Sequence, residues 1–133
     1  MVKLRLARAG KKKKPIYKIV AADARAPRDG KFIESIGQYD PNMNPMIIDV
    51  KETALFRWLK NGAQPTDTVR SLLRRKGLWL KWALVKRGSD ETFITTKMDE
   101  WNRIQVDKAV RESAKKERRK VAKKKAAQET AAA

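Results

Sequence analysis

Hydrophobic and polar positions alternate from the first residues of the chain, with Val2, Leu4 and Leu6 separated by Lys3, Arg5 and Ala7. A period of two is that of a β-strand with one buried face. A second run, Pro15-Ile16-Tyr17-Lys18-Ile19-Val20-Ala21-Ala22, is rich in β-branched and aromatic side chains, which suit a pleated, half-buried surface. Gly10 and Lys11–Lys14 lie between the two runs as a turn. Pairing of the strands would hold those adjacent charges rigidly at one edge of a sheet, as a loop facing phosphates. Pro27 and Asp29-Gly30 mark a further turn, ahead of a third strand over Phe32–Tyr39. In a regular meander the two basic turns lie at opposite ends of the second strand. Asp40–Pro45 is a loop by composition, and Met46-Ile47-Ile48 a short fourth strand.

The period then changes. Asp49 followed by Glu52 has the form of a helix-start capping pattern, and Ala54, Leu55, Trp58 and Leu59 make one helix face. Gly62 stands where that helix would end. Thr66 is the N-cap of the next helix, Asp67 suits its first turn, and Val69, Leu72 and Leu73 form its apolar face before Gly77 stops it. Strands followed by helices, not alternating with them, predict an α+β domain, a sheet packed with two short helices. That domain is expected to span residues 1–77, so that a chain ending at Gly77 folds cooperatively. Residues 78–133 form a C-terminal extension. Its apolar segment 78–85 is a strand or helix covering the core, and Gly88-Ser89-Asp90 breaks it. A long basic helix over about 96–127, capped by Thr95 or Thr96, is expected beyond the break. Such a helix lacks a buried stripe, so it is expected to be frayed or disordered when free and ordered against a polyanion.

Charge narrows the function. Thirty-three Lys and Arg against fifteen Asp and Glu leave +18 over 133 residues. A field of that sign draws polyanions: nucleic acid first, anionic membrane second, an acidic protein third. The stretch Arg103–Lys125 contributes roughly eight of those charges. There is no cysteine and no histidine, which excludes disulfides, thiolate metal sites and every Ser-His or Cys-His nucleophile pair. No apolar run approaches the roughly 20 residues of a membrane span. The strand pattern begins at Val2, which leaves no room for a targeting peptide and suggests a soluble, cytoplasmic protein.

Several separate stretches, in order and in register, resemble a bacterial small-subunit ribosomal protein family, the one numbered sixteen. They are Val2-Lys3-Leu4-Arg5-Leu6-Ala7-Arg8-Ala9-Gly10-Lys11, Lys13-Lys14-Pro15-Ile16-Tyr17, Val20-Ala21-Ala22-Asp23 and Arg28-Asp29-Gly30-Lys31-Phe32-Ile33-Glu34. Gly37-Gln38-Tyr39-Asp40-Pro41, Trp58-Leu59 and Gly62-Ala63-Gln64-Pro65-Thr66-Asp67-Thr68-Val69 continue the likeness, which covers about Met1–Gly77. Ala24 stands where the family commonly has serine, and Asp40 where it has asparagine. The resemblance implies an α+β domain, with a small mixed or antiparallel sheet and two short helices, that binds small-subunit ribosomal RNA directly and helps fold it during assembly. Neighbouring small-subunit ribosomal proteins are implied as further partners. It assigns no role to Trp79–Trp82 or to the lysine tail, which many members lack.

Phosphate contact is expected of Arg5, Arg8, Lys11, Lys12, Lys13, Lys14 and Lys18, and of Arg25, Arg28 and Lys31 in the second basic turn. In the tail it is expected of Lys115, Lys116, Arg118, Arg119, Lys120, Lys123, Lys124 and Lys125. Arg5 and Arg8 project from the polar face of the first strand, where a guanidinium clamps phosphate through two N–H groups. Tyr17 is suited to stack on an unpaired base, and Tyr39 likewise, the core being the other place for a strand aromatic. Trp58 belongs to the core. Adjacent acids such as Asp90-Glu91 and Asp99-Glu100 do not converge, and no nucleotide-binding or metal-ligand motif is present. No enzyme, cofactor, metal, small-molecule substrate or membrane is expected. Two rivals remain: a free-standing nucleic-acid-binding regulator, and a nuclease using carboxylate-held Mg²⁺.

Overall fold

In a computed structural model that describes residues 1–133, Val2–Lys11 (β1) and Lys14–Asp23 (β2) pair antiparallel along their whole lengths. The ladder runs from Val2 opposite Asp23 to Lys11 opposite Lys14. Glu34–Asp40 (β3) and Ile47–Val50 (β4) extend the meander, and Gln64–Pro65 (β5) adds a short parallel strand to the outer edge of β1. The sheet order is β4-β3-β2-β1-β5, with a register shift between Ile19 and Val20. The α+β class is as the strand and helix periods predict, and the mixed pairing is what the family resemblance implies.

Residues directly opposite in an antiparallel pair share a face. Leu4 and Leu6 thus lie beside Ala21 and Ile19, and this face carries the main core. Leu4, Ile19, Ala21 and Ile36 are buried there with Leu55 and Leu59 of α1 (Glu52–Lys60) and with Val69 and Leu73 of α2 (Asp67–Lys76). The alternation in β1 suggests one buried face, but the sheet buries part of both. Ala7, Val20 and Ala22 form a second, smaller cluster, on the face that Arg5 shares with its opposite residue Val20.

Local signals decide most of the helix ends. Gly62 takes φ +87°, its N–H donates to the Leu59 carbonyl at 3.2 Å, and that of Ala63 donates to Trp58 at 2.9 Å. This is the doubly bonded left-handed cap that a glycine at that position permits. Thr66 is the N-cap of α2 without a side-chain bond. Its own N–H donates to the Leu4 carbonyl at 3.0 Å, fixing α2 against β1. Asp49 does not cap α1: the N-cap is Lys51, and Asp49 is held in β4 opposite Gln38. The strand ladder claims the residue before it can turn into the helix.

A third helix, α3 (Leu78–Lys86), follows Gly77 directly. The first compact unit runs from Met1 to Gly88, so it closes beyond the expected boundary at Gly77. The reason is packing. Leu78 lies in the main core at 4% exposure, and Phe56 of α1 stacks on Trp82 with ring centres 5.8 Å apart. Lys81 pairs with Glu52 of α1, and the Arg70 guanidinium of α2 lies 5.6 Å from the centre of the Trp79 ring. α3 is therefore the third helix of the domain.

Ser89–Ala133 is a separate unit, composed almost wholly of α4, a continuous helix over Glu91–Ala132. It begins at Asp90 as N-cap, ahead of the expected Thr95 or Thr96. Those two hydroxyls instead donate to the carbonyls of Glu91 and Thr92, at 2.8 Å each. None of the residues of α4 is buried, and at 1.5 Å per residue it is about 63 Å long. Acidic residues precede basic ones by four at Asp99/Arg103, Asp107/Arg111 and Glu112/Lys116, a spacing that supports an exposed helix.

Glu34 at the start of β3 accepts a hydrogen bond from Trp58 Nε1 at 2.7 Å and pairs with Arg57, tying sheet to α1. The Trp58 bond, then Arg57, holds its carboxyl below the ordinary carboxylate range. A depressed folded-state value stabilises above the unfolded-state value and is lost as pH falls through the folded one. Glu34→Gln should therefore lower the urea midpoint at neutral pH. The gap to the parent should close on acidification below about pH 4.3, the ordinary value for a free glutamate. Chains ending at Gly88 and at Gly77 test the role of α3. The first should unfold cooperatively in urea, whereas the second should lose a few kcal/mol, since burying a leucine stabilises by ~1.5–3 kcal/mol, and should bind a hydrophobic dye.

Candidate nucleic-acid interface

The turn between β1 and β2 is as short as the ladder allows. Lys11 and Lys14 are paired strand residues, and Lys12 and Lys13 alone make the connection. Lys13 takes φ 72° and Gly10 φ 89°. A side chain at Gly10 would bring its Cβ within 2.7 Å of the Lys14 carbonyl oxygen, so glycine is what lets the strands meet here. The four lysines are exposed, and none takes part in an ion pair. Their charges are held by the sheet and left unneutralised by the protein.

Behind the tip, the register lines up a row across three strands: Arg8 opposite Tyr17, and Tyr17 opposite Tyr39. The tyrosine rings stack, with centroids 6.1 Å apart and planes inclined by 24°. Both are half-buried and Arg8 is exposed. Three residues of strand separate Arg8 from Lys11, about 10 Å. A cation, two ring edges and the lysine tip thus fall within one short stretch of surface. Lys18 is exposed on the opposite face from Tyr17.

The second basic turn is not at the far end of β2, as a regular meander would have it. The segment after Asp23 doubles back along β1. The Arg5 guanidinium donates to the Pro27 carbonyl at 2.9 Å, and the Arg8 N–H donates to Asp29 Oδ1 at 3.0 Å. The outer edge of β1 has only two residues paired with β5, so the Arg8 N–H is available to the loop. Asp29 also accepts from Arg28 Nε and from its terminal nitrogen at 2.9 Å. The bond from Arg28, then that from Arg8, holds the Asp29 carboxyl below its ordinary range. The loop therefore brings its cations back toward the row of Arg8, Tyr17 and Tyr39.

This geometry sorts the expected residues. Arg5 is not a free clamp: it is half-buried, bonded to Pro27, and its Nε is enclosed without a partner. Arg28 shares its charge with Asp29. Arg25 and Lys31 are exposed and unpaired, as are Lys11–Lys14. Lys115, Lys116, Arg118, Arg119, Lys120, Lys123, Lys124 and Lys125 are all exposed on α4. They cover most of its circumference, the stripe Ala114, Glu117 and Val121 excepted. Two residues take on a new role here. Tyr39 becomes the partner of Tyr17, which a register would have revealed, and Asp29 becomes the anchor of the basic loop, which an aspartate between Arg28 and Gly30 only hints at.

The adjacent acids Asp90-Glu91 and Asp99-Glu100 fall at the start and in the early turns of α4. Nowhere do three or more His, Cys, Asp or Glu residues gather as metal ligands would. No helix is long and apolar enough to cross a membrane.

Removing the Asp29 anchor should free the loop without unfolding the sheet. Asp29→Ala should speed tryptic cleavage after Arg25, Arg28 or Lys31 several-fold, since its carboxylate is what holds the loop to the Arg8 amide. Cleavage within β1 and β2 should be unchanged by mass spectrometry.

The family described as Ribosomal protein S16 matches residues 8–66, from Arg8 to the N-cap of α2. A protein named small ribosomal subunit protein bS16 from Chlorobium phaeobacteroides is 49% identical over 126 residues, covering 95% of this chain and 93% of its own. Its namesake in Chlorobium limicola is 48% identical over 124 residues, 93% of each chain. That of Chlorobaculum tepidum is 47% identical over 124 residues, 93% of this chain and 92% of its own. Matches of that length take in most of α3 and α4, so the extension is shared with these relatives. The chain belongs to the ribosomal protein S16 family.

Proposed function

We propose that this chain is a structural component of the bacterial small ribosomal subunit, binding the subunit's RNA and helping it fold during assembly. The observation that carries the reading is the hairpin tip: unpaired lysines on a turn that cannot flex independently of the sheet, beside the exposed Arg8 and the stacked Tyr17 and Tyr39. Family membership and relatives bearing that name support it. The role is non-enzymatic, and its place is on the ribosome in the cytoplasm, among neighbouring small-subunit proteins.

The mechanism is charge neutralisation at fixed positions. Folding an RNA brings phosphates together, and their repulsion opposes it. Lysines held on a rigid turn meet those phosphates at a smaller entropy cost of ordering, because the strand ladder has already immobilised their backbone. Lys11–Lys14, Arg8, Arg25, Lys31 and Lys18 supply such contacts, which position the protein without reading sequence. Tyr17 and Tyr39 offer aromatic edges to unpaired bases. Arg5 acts one step behind, by holding the loop that carries Arg25 and Lys31. The basic residues of α4, from Lys115 to Lys125, give a second electrostatic arm that grips RNA through its backbone.

Changing Lys11–Lys14 to alanine should weaken binding to small-subunit ribosomal RNA and flatten its salt dependence. Each lost phosphate contact should reduce the slope of log affinity against log salt by ~0.7–0.9; an unchanged slope would remove the hairpin from the interface. In moderately high salt, binding to labelled small-subunit RNA should survive excess unrelated RNA of equal length and excess duplex DNA. Equal loss to either competitor would favour a general nucleic-acid binder.

A further inference from the structure

The first unit contains a cleft remote in sequence from the hairpin. It has a volume of about 700 Å³ and lies between α3, the segment following α1, and the start of α2. Leu59 contributes apolar lining, Trp79 and Trp82 line it from α3, and Lys60, Arg70 and Lys86 bring cations to it. No acidic residue lines it. The volume falls inside the roughly 300–1,000 Å³ of ordinary ligand sites.

The two tryptophans are three apart on α3, so they share a helix face. Each is set by a neighbour: Trp82 by Phe56 at 5.8 Å, Trp79 by the Arg70 guanidinium at 5.6 Å. Both remain only half-buried, leaving indole surface toward the cleft. Arg70 is held over Trp79 and spends little of its hydrogen-bonding capacity. Its one acidic neighbour is Asp67 at 3.5 Å, which is almost fully exposed, and its Nε has no partner. Apolar rings with cations and no carboxylate among them fit a ligand that is flat and aromatic at one end and anionic at the other.

We infer that this cleft is a second RNA-contact site, which takes an unpaired nucleotide, its base against Trp79 and Trp82 and its phosphates against Lys60, Arg70 and Lys86. The inference rests on the reading of the chain as an RNA binder. The nucleotide is favoured over an acidic peptide because two aromatic surfaces line the cleft, and a base stacks on them whatever its sequence. The site depends on α3, which lies outside the family match at residues 8–66 but within the long matches to bS16 relatives. It is thus a contact added by the third helix.

Photocrosslinking of the full chain to a single-stranded iodouridine oligonucleotide, followed by mass-spectrometric mapping, tests it. Crosslinks are expected at Trp79 or Trp82. Lys60→Glu combined with Lys86→Glu, both at exposed positions that leave the core intact, should lower their yield about tenfold through the lost phosphate contacts. Crosslinks confined to Tyr17 or Tyr39 would overturn the cleft proposal and leave the ribosomal RNA reading standing. Absence of binding to both the oligonucleotide and small-subunit RNA would overturn both. If polyglutamate of equal charge cleared the cleft crosslinks as well as unlabelled oligonucleotide does, the cleft would be a site for acidic segments, and the proposal would fall.

Discussion

The ladder between β1 and β2 is the constraint on which the rest depends. Its unbroken register, from Val2 opposite Asp23 to Lys11 opposite Lys14, sets three things at once. It puts Leu4, Leu6, Ile19 and Ala21 on the face that the helices cover. It brings Arg8, Tyr17 and Tyr39 into one row through the neighbouring ladder to β3. It also fixes the backbone of the lysine turn at the end of the hairpin. A slip of one residue would send every side chain of β1 to the other face, exchanging leucine for arginine in the core.

Cations in this protein divide into those the fold uses and those it leaves free. Arg5, Arg28, Arg57 and Lys81 are engaged by carbonyl or carboxylate groups, while Arg70 rests on an indole and keeps most of its N–H groups free. Their contacts hold the second basic loop to β1, β3 to α1, and α3 to the other helices. Exposed pairs of this kind are each worth little, but here they fix the position of segments that present the free cations. Neutralising the remaining lysines internally would need carboxylates beside them, and the first unit places its acids elsewhere. The unbalanced charge is tolerable because the free cations lie on exposed turns, where water screens them until a polyanion arrives.

The helical layer gives the same sheet a second role. α1 and α2 close the core with conventional apolar faces, whereas α3 is apolar around most of its surface. One part of it goes into the core through Leu78, and another is braced by Phe56 and Arg70. What is left over is the tryptophan-lined cleft. α3 thus combines core packing with the aromatic surface that the proposed nucleotide site would use.

Much of this could be read from the chain alone. The alternation in β1, the β-branched run of β2, the glycines after α1 and α2 and the paired apolar positions of both helices specify their elements locally. The family likeness rests on the same stretches. Charge at the hairpin was equally plain, because adjacent lysines next to a glycine have few other structural uses. What the tertiary structure decided was where distant segments meet. That Arg5 holds Pro27, that Asp29 holds the Arg8 amide, and that α3 enters the core are contacts between residues far apart in sequence, and no local period encodes them. Asp49 shows the limit from the other side: its position reads as a helix cap, yet a strand partner took the backbone first. Local sequence determines which conformation a segment prefers. The burial and hydrogen bonding available from the rest of the molecule decide whether a given arginine remains free to meet phosphate or becomes part of the frame.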